Sequence, residues 1–283
     1  MAKNVLLAGM IIILSAGVFA AGIKVSPGAF CAQNIEIGKD LDLGVDLTIE
    51  NSSDSQQSFC LSPIKPSQAK SQWLKGYSEI PDPKWLYMES NWLEVAPRSS
   101  GKVRMHLKVP NEEKYLNQHW IVYVNISNEM KKGDLFGVSI KPNYMFETKA
   151  AMVKGRPSGR LGFVPSTIKV PIIQGKAITA RLILYNNDKR PHTYKVFSFL
   201  PPADSGKQEI NLSPGYEWAM SEKWIKPLKN KVKIGAGQKK EIELKIAVPK
   251  ANSTVTRGWE SILMVEEEDG LSGFARVLIE PKK

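Results

Sequence analysis

Residues 77–110 read YSEIPDPKWLYMESNWLEVAPRSSGKVRMHLKVP, and residues 216–249 read YEWAMSEKWIKPLKNKVKIGAGQKKEIELKIAVP. The two stretches align without a gap at a shift of 139 positions, so that Trp85 falls on Trp224. Identical residues are few, but the polar and apolar positions coincide. Because a solenoid unit spans only roughly 20–50 residues, a repeat at this distance predicts two copies of one domain.

One segment in each copy alternates between polar and apolar residues. These segments are Lys102–Val109 and Glu241–Val248, and a proline follows each. Period-two alternation predicts a strand with one dry face and one wet face, as in an antiparallel sheet. About seven short strands of this kind, separated by turn residues, are predicted in each copy. The sequence therefore predicts an all-β chain with two tandem immunoglobulin-like antiparallel β-sandwich domains.

The N-terminus has the pattern of a secretory signal peptide. Lys3 precedes the apolar run Val5–Leu14, and the small-residue site Val18–Ala20 comes before Ala21. This pattern predicts cleavage before Ala21, with an uncleaved anchor as the alternative. No second apolar stretch follows, so we expect no membrane span in the mature chain. The predicted organisation is a signal peptide at 1–20, domain 1 at 22–148, a linker at 149–160 and domain 2 at 161–283.

The positive charge is concentrated in the second half of the chain. Residues 22–159 contain 17 basic and 15 acidic residues, whereas residues 160–283 contain 21 and 13. The lysines that carry much of this excess are Lys223, Lys226, Lys229, Lys231, Lys233, Lys239 and Lys240. Such a field attracts polyanions, and these lysines are candidates for binding an anionic partner. The alternative is an ordinary solvated face.

Two cysteines, Cys31 and Cys60, lie in the first copy. An oxidising compartment favours their pairing, so a disulfide is predicted, with two buried thiols as the alternative. The second copy has no cysteine, and the shared fold cannot require this bond.

The chain shows little that indicates catalysis. Its three histidines lack the spacing of a zinc site, and no nucleophile elbow or phosphate-binding glycine loop is present. The acidic run Glu266–Asp269 is interpreted as solubilising charge at a turn. We therefore expect no enzyme activity, no metal and no cofactor. The alternative is a glycan-acting enzyme, which needs two carboxylates that face a tryptophan-lined cleft.

Seven tryptophans suggest a second kind of binding. Four of them match between the copies and are interpreted as core packing: Trp85 with Trp224, and Trp120 with Trp259. Three have no counterpart and are the better candidates for stacking against a ligand: Trp73, Trp92 and Trp218.

Several short motifs follow one another in a familiar order. Val25-Ser-Pro27 comes first, then Asn51-Ser-Ser-Asp54, then Trp92-Leu-Glu-Val-Ala-Pro97 before a strand that closes in Val109-Pro110. The pattern resembles exported bacterial proteins with PapD-like or related immunoglobulin-like domains. Among these are pilus-assembly chaperones and the tandem wall-binding and host-binding modules associated with WxL surface proteins. The resemblance implies an exported protein, either periplasmic or at the cell surface.

Two functional hypotheses follow. The first is a non-catalytic binding or scaffold protein of the cell envelope, whose basic second domain contacts an anionic envelope polymer or an acidic partner. The second is a periplasmic assembly chaperone or adaptor that caps another exported protein by adding a strand, with Leu43–Ile49 as its expected edge strand. Neither hypothesis involves nucleic acid, and the sequence does not indicate an oligomeric state.

Overall fold

The structure is a computed structural model. It describes residues 12–14, 18–20, 22–70, 74–128, 139–173, 175–201, 210–249 and 257–281. Among these, contacts define two compact units. Unit 1 comprises Met1–Trp73, Glu79–Asn111 and Trp120–Glu147, and unit 2 comprises Leu74–Ser78, Glu112–His119 and Thr148–Lys283. Two short segments from the first half of the chain therefore belong with unit 2.

Strands account for most of the described structure. The first group runs β1 (Ile12–Leu14), β2 (Val18–Ala20), β3 (Ile23–Ser26), β4 (Ala29–Ile35), β5 (Asp40–Asn51), β6 (Gln57–Ile64), β7 (Ser78–Glu79), β8 (Leu86–Met88), β9 (Trp92–Val95), β10 (Ser99–Lys108), β11 (His119–Asn128), β12 (Ser139–Ile140) and β13 (Asn143–Thr148). The second group runs β14 (Leu161–Val164), β15 (Thr167–Pro171), β16 (Ile178–Asn186), β17 (His192–Phe199), β18 (Tyr216–Trp218), β19 (Ile225–Pro227), β20 (Lys231–Ile234), β21 (Lys239–Ile246), β22 (Gly258–Glu267) and β23 (Ser272–Glu280). The helical elements are α1 (Pro66–Ala69) and three 3-10 turns at Pro83–Trp85, Glu113–Tyr115 and Glu222–Trp224.

The first group of strands forms two sheets. One has the order β2-β3-β5-β10-β8, and the other has the order β1-β4-β13-β11-β6-β9, with β7 and β12 also pairing with β11. The alternation predicted for β10 is present, because Val103, Met105 and Leu107 are buried while their neighbours are not. One face of the strand thus contributes to the core and the other faces outward.

Unit 2 repeats this arrangement. Its sheets have the orders β14-β16-β21-β19 and β15-β23-β22-β17-β20, with β18 pairing with β22. Both sheets contribute to one apolar core, for example Leu182 and Leu244 from the first and Val196 and Leu263 from the second. The chain therefore consists of two tandem immunoglobulin-like β-sandwiches, and the predicted fold class is confirmed.

The matched tryptophans take equivalent places in the two units. The ring centroids of Trp85 and Trp120 are 5.6 Å apart, and those of Trp224 and Trp259 are 4.9 Å apart. Trp120 and Trp259 are each 1% exposed. Both tryptophan pairs contain a fully buried ring, as the core-packing interpretation predicts.

A buried asparagine at the end of one strand in each unit donates hydrogen bonds to the neighbouring loops. In unit 1, Asn51 Nδ2 donates to the carbonyls of Ser55, Val95 and Ala96 at 2.8–3.2 Å. In unit 2, the equivalent Asn186 Nδ2 donates to three carbonyls at 2.8–3.2 Å, those of Arg190, Ile234 and Gly235. Each asparagine thereby joins the turn that follows it to the hairpin that opens β10 or β21, and the buried carbonyls gain donors.

The structure covers the edge strand expected for strand addition only in part. Leu43–Ile49 lies inside β5, which pairs with β10 on one side. On the other side β3 pairs with residues 48–51, so that none of the described strands pairs with residues 43–47 there.

The predicted disulfide is not formed: the two cysteines, both in the described part of the chain, are thiols. Cys31 lies on β4 and Cys60 on β6, and the strands β13 and β11 separate them in the sheet. Three strand spacings place the two Cα atoms roughly 14 Å apart, whereas a disulfide needs about 4.4–6.8 Å. Cys31 is buried, and its Sγ lies 3.5 Å from Glu147 Oε1; Cys60 is exposed.

Two pieces of the predicted signal peptide lie among the described residues. Ile12–Leu14 pairs antiparallel with β4, and Val18–Ala20 pairs antiparallel with β3. The signal peptide and its cleavage remain predictions. No helix in the described ranges is long and apolar enough to span a bilayer.

Candidate functional site

The seven candidate lysines of unit 2 are all exposed. Lys223 lies in the 3-10 turn before β19, Lys226 on β19, Lys229 in the loop that follows, Lys231 and Lys233 on β20, and Lys239 and Lys240 at the start of β21. On β20 this exposure follows from the strand period, because Val232 and Ile234 are buried and the lysines between them face outward. The set is therefore distributed over both sheets of unit 2.

These lysines lack acidic partners. None of the seven forms an ion pair within the residues that the structure describes. The contact found for Lys240 is with a carbonyl, that of Lys233, at 3.5 Å from its Nζ. By contrast, Arg181 on the neighbouring strand pairs with Glu243 at 2.8 Å and with Glu241 at 3.5 Å. The lysine charges therefore remain uncompensated where other cations of unit 2 are neutralised.

A cleft of about 420 Å³ lies at one end of this basic surface. Its lining residues are Lys154, Arg156, Tyr185, Gly237, Gln238 and Lys239. The segment 149–160 forms one side of the cleft, and the hairpin between β20 and β21 forms the other. Among the described residues, three cations and no carboxylate line the cleft, so it is suited to an anion.

Contacts across the cleft hold its cations in place. Arg156 Nη2 donates to the carbonyl of Gly237, and Lys239 Nζ lies 5.4 Å from the centre of the buried Tyr185 ring. Gly237 has φ +61°, a left-handed conformation that favours glycine. A Cβ atom at this position would meet Arg156 Nη1 at 3.4 Å, an ordinary van der Waals contact, so the backbone conformation and not the available space favours glycine here.

The segment 149–160 is tied down by hydrogen bonds within unit 2. Ser158 N donates to the carbonyl of Lys114 at 2.7 Å. Asn187 Nδ2 donates to the carbonyls of Pro157 and Gly159, both at 2.8 Å. These bonds position Lys154 and Arg156 although no strand includes them.

The hairpin of the cleft is anchored to the turn that follows β16. Asn186 N donates to the carbonyl of Gln238 at 2.9 Å, and Gly237 N donates to the carbonyl of Asp188 at 3.0 Å. Asn186 Nδ2 also donates to the carbonyl of Gly235 at 3.0 Å. The hairpin that forms this wall of the cleft is therefore hydrogen-bonded to the turn after β16.

A charged cluster lies beside this turn. Arg160 pairs with Asp188 at 2.9 Å, with Asp269 at 3.3 Å and with Glu267 at 3.6 Å. His192 Nε2 lies 3.2 Å from Asp188 Oδ2, and its Nδ1 contacts Glu267. The imidazole therefore lies between two carboxylates, both of which also contact Arg160.

Opposing effects set the ionisation of two members of the cluster. Burial alone would raise the pKa of Asp188, but hydrogen bonds from Lys189 N, His192 and Arg160 outweigh it, and the pKa lies below its ordinary value. Burial acts to lower the pKa of Arg160, yet hydrogen bonds to Asp269 and Asp188 raise it overall. Because these charges neutralise one another, the uncompensated charge of this region lies at the cleft.

The structure brings one predicted lysine, Lys239, into the cleft and leaves the others on the outer surface. Sequence reasoning missed three lining residues: Lys154, Arg156 and Tyr185. The basic composition of the segment 149–160 was the available signal. The interpretation of Glu266–Asp269 as solubilising charge is wrong for Glu267, which lies on β22, is 6% exposed and contacts His192.

The candidate stacking tryptophans do not share a sheet. Trp92 is 39% exposed on β9 of unit 1, whereas Trp218 is half-buried on β18 of unit 2. Trp73 lies outside the described residues. Within the described ranges no group of three or more metal-ligating side chains converges on one point.

Comparisons with known proteins give structural likenesses only. No protein-family model matches the sequence, and no curated protein matches it significantly. A protein of unknown function from Porphyromonas gingivalis W83 is 10% identical and has a TM-score of 0.34, over 92% of this chain and 100% of that chain. The periplasmic chaperone SfaE is 10% identical with a TM-score of 0.32, over 90% and 99% of the two chains. The E. coli chaperone DraB is 12% identical with a TM-score of 0.31, over 92% and 96%. At TM-scores this low, function has to be inferred from the residues and contacts of the chain itself.

Proposed function

We propose that this chain is an exported, non-catalytic binding or scaffold protein of the cell envelope, and that its second domain binds an anionic envelope polymer or an acidic partner. One observation carries the proposal: the seven exposed lysines of unit 2 have no acidic partners among the described residues. Uncompensated cations on a rigid sandwich create a positive potential that attracts polyanions.

Unit 1 supports this assignment by contrast. At a shift of 139 positions, six of the seven lysines fall on residues that are not basic, namely Tyr87, Ser90, Trp92, Glu94, Ser100 and Gly101. Only Lys223 falls on a lysine, Lys84. Since the two units share one fold, the fold does not require the lysines, and we assign them to binding.

The remainder of the proposal concerns the organisation and location of the chain. Residues 1–20 act as the signal peptide, and the domains at 22–148 and 161–283 follow, joined by a linker at 149–160. The mature protein resides in the periplasm or at the cell surface. N-terminal sequencing of protein recovered from cell fractions tests this, because a mature chain is expected to begin at Ala21 and to be absent from the cytoplasmic fraction.

Assembly by strand addition is the less favoured function. The edge expected at Leu43–Ile49 is paired with β3 at Thr48 and Ile49, which leaves residues 43–47 as the part that an adaptor would use. The terminal strands β8 and β9 are further edges. No contact in the described part of the chain distinguishes any of these as a docking edge.

Binding to polyphosphate at increasing salt tests the main proposal. The triple variant Lys226→Gln, Lys231→Gln, Lys233→Gln should bind at least about tenfold more weakly at low salt, because each exposed lysine near a polyanion contributes about 1 kcal/mol or less. Its affinity should also fall less steeply as salt is added.

The matched control is the triple variant Lys70→Gln, Lys84→Gln, Lys102→Gln, which removes the same charge from exposed positions of unit 1. It should bind polyphosphate within about twofold of the unaltered protein. Equal losses in the two triple variants, or binding that does not respond to salt, would exclude the proposed role of the second domain.

A further inference from the structure

We infer that the cleft lined by Lys154, Arg156 and Lys239 is a specific site for a phosphoryl group. This inference rests on the proposed function and deepens it. The basic surface of unit 2 attracts the anionic partner, and the cleft recognises individual phosphate groups on it.

The first step of the argument is charge. No described acidic residue pairs with Lys154, Arg156 or Lys239, although Arg160, only four residues beyond Arg156, contacts three carboxylates. An anion in the cleft therefore meets three cations without displacing a competing carboxylate. This separates the cleft from the neighbouring cluster, whose cations are already neutralised.

The second step is the placement of the donors. A bond from Nη2 to the Gly237 carbonyl fixes the Arg156 guanidinium and leaves most of its five N–H donors available. A guanidinium presents pairs of parallel donors that match two phosphate oxygens. Lys239 is held over the Tyr185 ring, and Lys154 extends from the opposite wall, so the three cations reach the same space from two sides.

The third step concerns the kind of recognition. The amides of Gly237 and Gln238 already donate to the carbonyls of Asp188 and Gly235. The backbone of the hairpin therefore offers no phosphate-cradling loop, and recognition depends on the side chains. At about 420 Å³ the cleft is in the range of small-ligand sites, so it accommodates a phosphate together with part of an attached polyol or sugar.

The fourth step is the comparison with unit 1, where the site is missing. Lys239 corresponds to Ser100 of unit 1. Tyr185 precedes the buried Asn186 and corresponds to Glu50, which precedes Asn51 and pairs with Lys24 at 3.0 Å. The position of Gly237 is Arg98, which pairs with Asp54 at 2.9 Å. The same fold without these side chains has compensated charges, so the cleft is a feature that unit 2 has acquired through its side chains.

The test measures binding of glycerol phosphate to the full mature chain by calorimetry, with glycerol and acetate as reference ligands. The double variant Lys154→Gln, Lys239→Gln should bind glycerol phosphate at least about tenfold more weakly. The double variant Lys70→Gln, Lys102→Gln removes the same charge from exposed positions of unit 1 and should bind within about twofold of the unaltered protein. All four side chains are exposed, so thermal unfolding should be unchanged in both variants.

Arg156→Lys tests the geometry separately, because it keeps the charge and removes the paired donors. It should weaken binding of glycerol phosphate several-fold and leave thermal unfolding unchanged. Vesicles of phosphatidylglycerol, with phosphatidylcholine vesicles as control, distinguish the source of the phosphate. If phosphatidylglycerol vesicles capture the protein and glycerol phosphate reverses the capture, the phosphate belongs to a lipid headgroup. If the protein binds soluble glycerol phosphate but is not captured by the vesicles, the phosphate belongs to a polymer.

The outcomes separate the two proposals. If the protein binds polyphosphate in a salt-sensitive way but does not bind glycerol phosphate, the phosphoryl site is wrong while the basic surface stands. If neither polyphosphate nor glycerol phosphate binds, both are wrong.

Discussion

The hairpin before β10 and the hairpin before β21 share one backbone and differ in their surface. Arg98 has φ +52° and its N–H donates to the Ser53 carbonyl at 3.1 Å; Gly237 has φ +61° and its N–H donates to the Asp188 carbonyl at 3.0 Å. In unit 1 the side chain at this position neutralises Asp54. In unit 2 the carbonyl of Gly237 accepts a hydrogen bond from Arg156, and the hairpin forms one wall of a basic cleft.

The comparison shows that the two units share their buried residues and differ in the exposed residues that we assign to binding. The buried asparagines and the paired tryptophans occur in both units at equivalent positions, because they satisfy and fill the core of one sandwich. The exposed positions are constrained only by solvation, so one unit could gain lysines while the other kept a nearly balanced charge. The following changes test that division.

The largest effect is expected from removing the buried tryptophan of either unit. Trp259→Ala and Trp120→Ala should each lower the free energy of unfolding by about 3–5 kcal/mol, because each deletes a large ring from a packed core. Urea denaturation followed by circular dichroism measures the loss. If one variant lost less than about 1 kcal/mol, the two tryptophans would not be equivalent core residues.

Replacing the buried asparagine should have the next largest effect. Asn186→Ala and Asn51→Ala each remove a donor that serves three carbonyls, and we expect losses of about 2–3 kcal/mol in the free energy of unfolding. Urea denaturation measures both losses. Calorimetry distinguishes the two units, because only Asn186→Ala should weaken the binding of glycerol phosphate, since the hairpin that Asn186 anchors forms the cleft. Weaker binding in Asn51→Ala would contradict the assignment.

The left-handed position should give opposite results in the two units. Gly237→Ala should destabilise unit 2 by about 1 kcal/mol, whereas Arg98→Gly should be neutral or stabilise unit 1 slightly, because left-handed φ strains a residue with a Cβ atom. Differential scanning calorimetry measures both changes. A stabilising Gly237→Ala would show that the conformation differs from the one described.

The smallest effect concerns acid stability, and it should appear in both units. Burial alone would raise the pKa of Asp42, but hydrogen bonds from Arg104 and Gly44 N lower it overall; the pKa of Asp188 is lowered in the same way in unit 2. A carboxyl with a lowered folded-state pKa binds fewer protons when folded. Its contribution is therefore complete above the unfolded-state pKa of about 3.9 and is lost as the pH falls through the folded-state value.

The Tm of Asp42→Asn and of Asp188→Asn should accordingly fall less than that of the unaltered protein between pH 6 and pH 3. Glu113→Gln, at an exposed carboxyl that forms no ion pair within the described residues, is the reference for the removal of one carboxylate. A steeper fall in either of the first two variants would reverse the sign derived from their hydrogen bonds.

Much of the fold could be predicted from the sequence. The aligned repeat, the alternation of β10 and β21 and the matched tryptophans predicted two sandwiches, because the two-residue period and the burial of large rings are properties of short stretches. The disulfide was wrong, and the edge strand expected at Leu43–Ile49 is covered by β3 at Thr48 and Ile49 only. Both depended on which strands are neighbours in a sheet, and such pairing joins residues that are distant along the chain.

The sequence by itself determined the β-sandwich repeat and the excess of lysine in the second copy, since composition and local periodicity express these directly. Tertiary structure decided which of those charges remain uncompensated. It brought Arg160 to Asp188 and Asp269, Glu267 to His192, and Arg156 to Gly237. A cation is neutralised by partners that are tens of residues away along the chain and within a few ångströms in space. Only the folded chain specifies those distances.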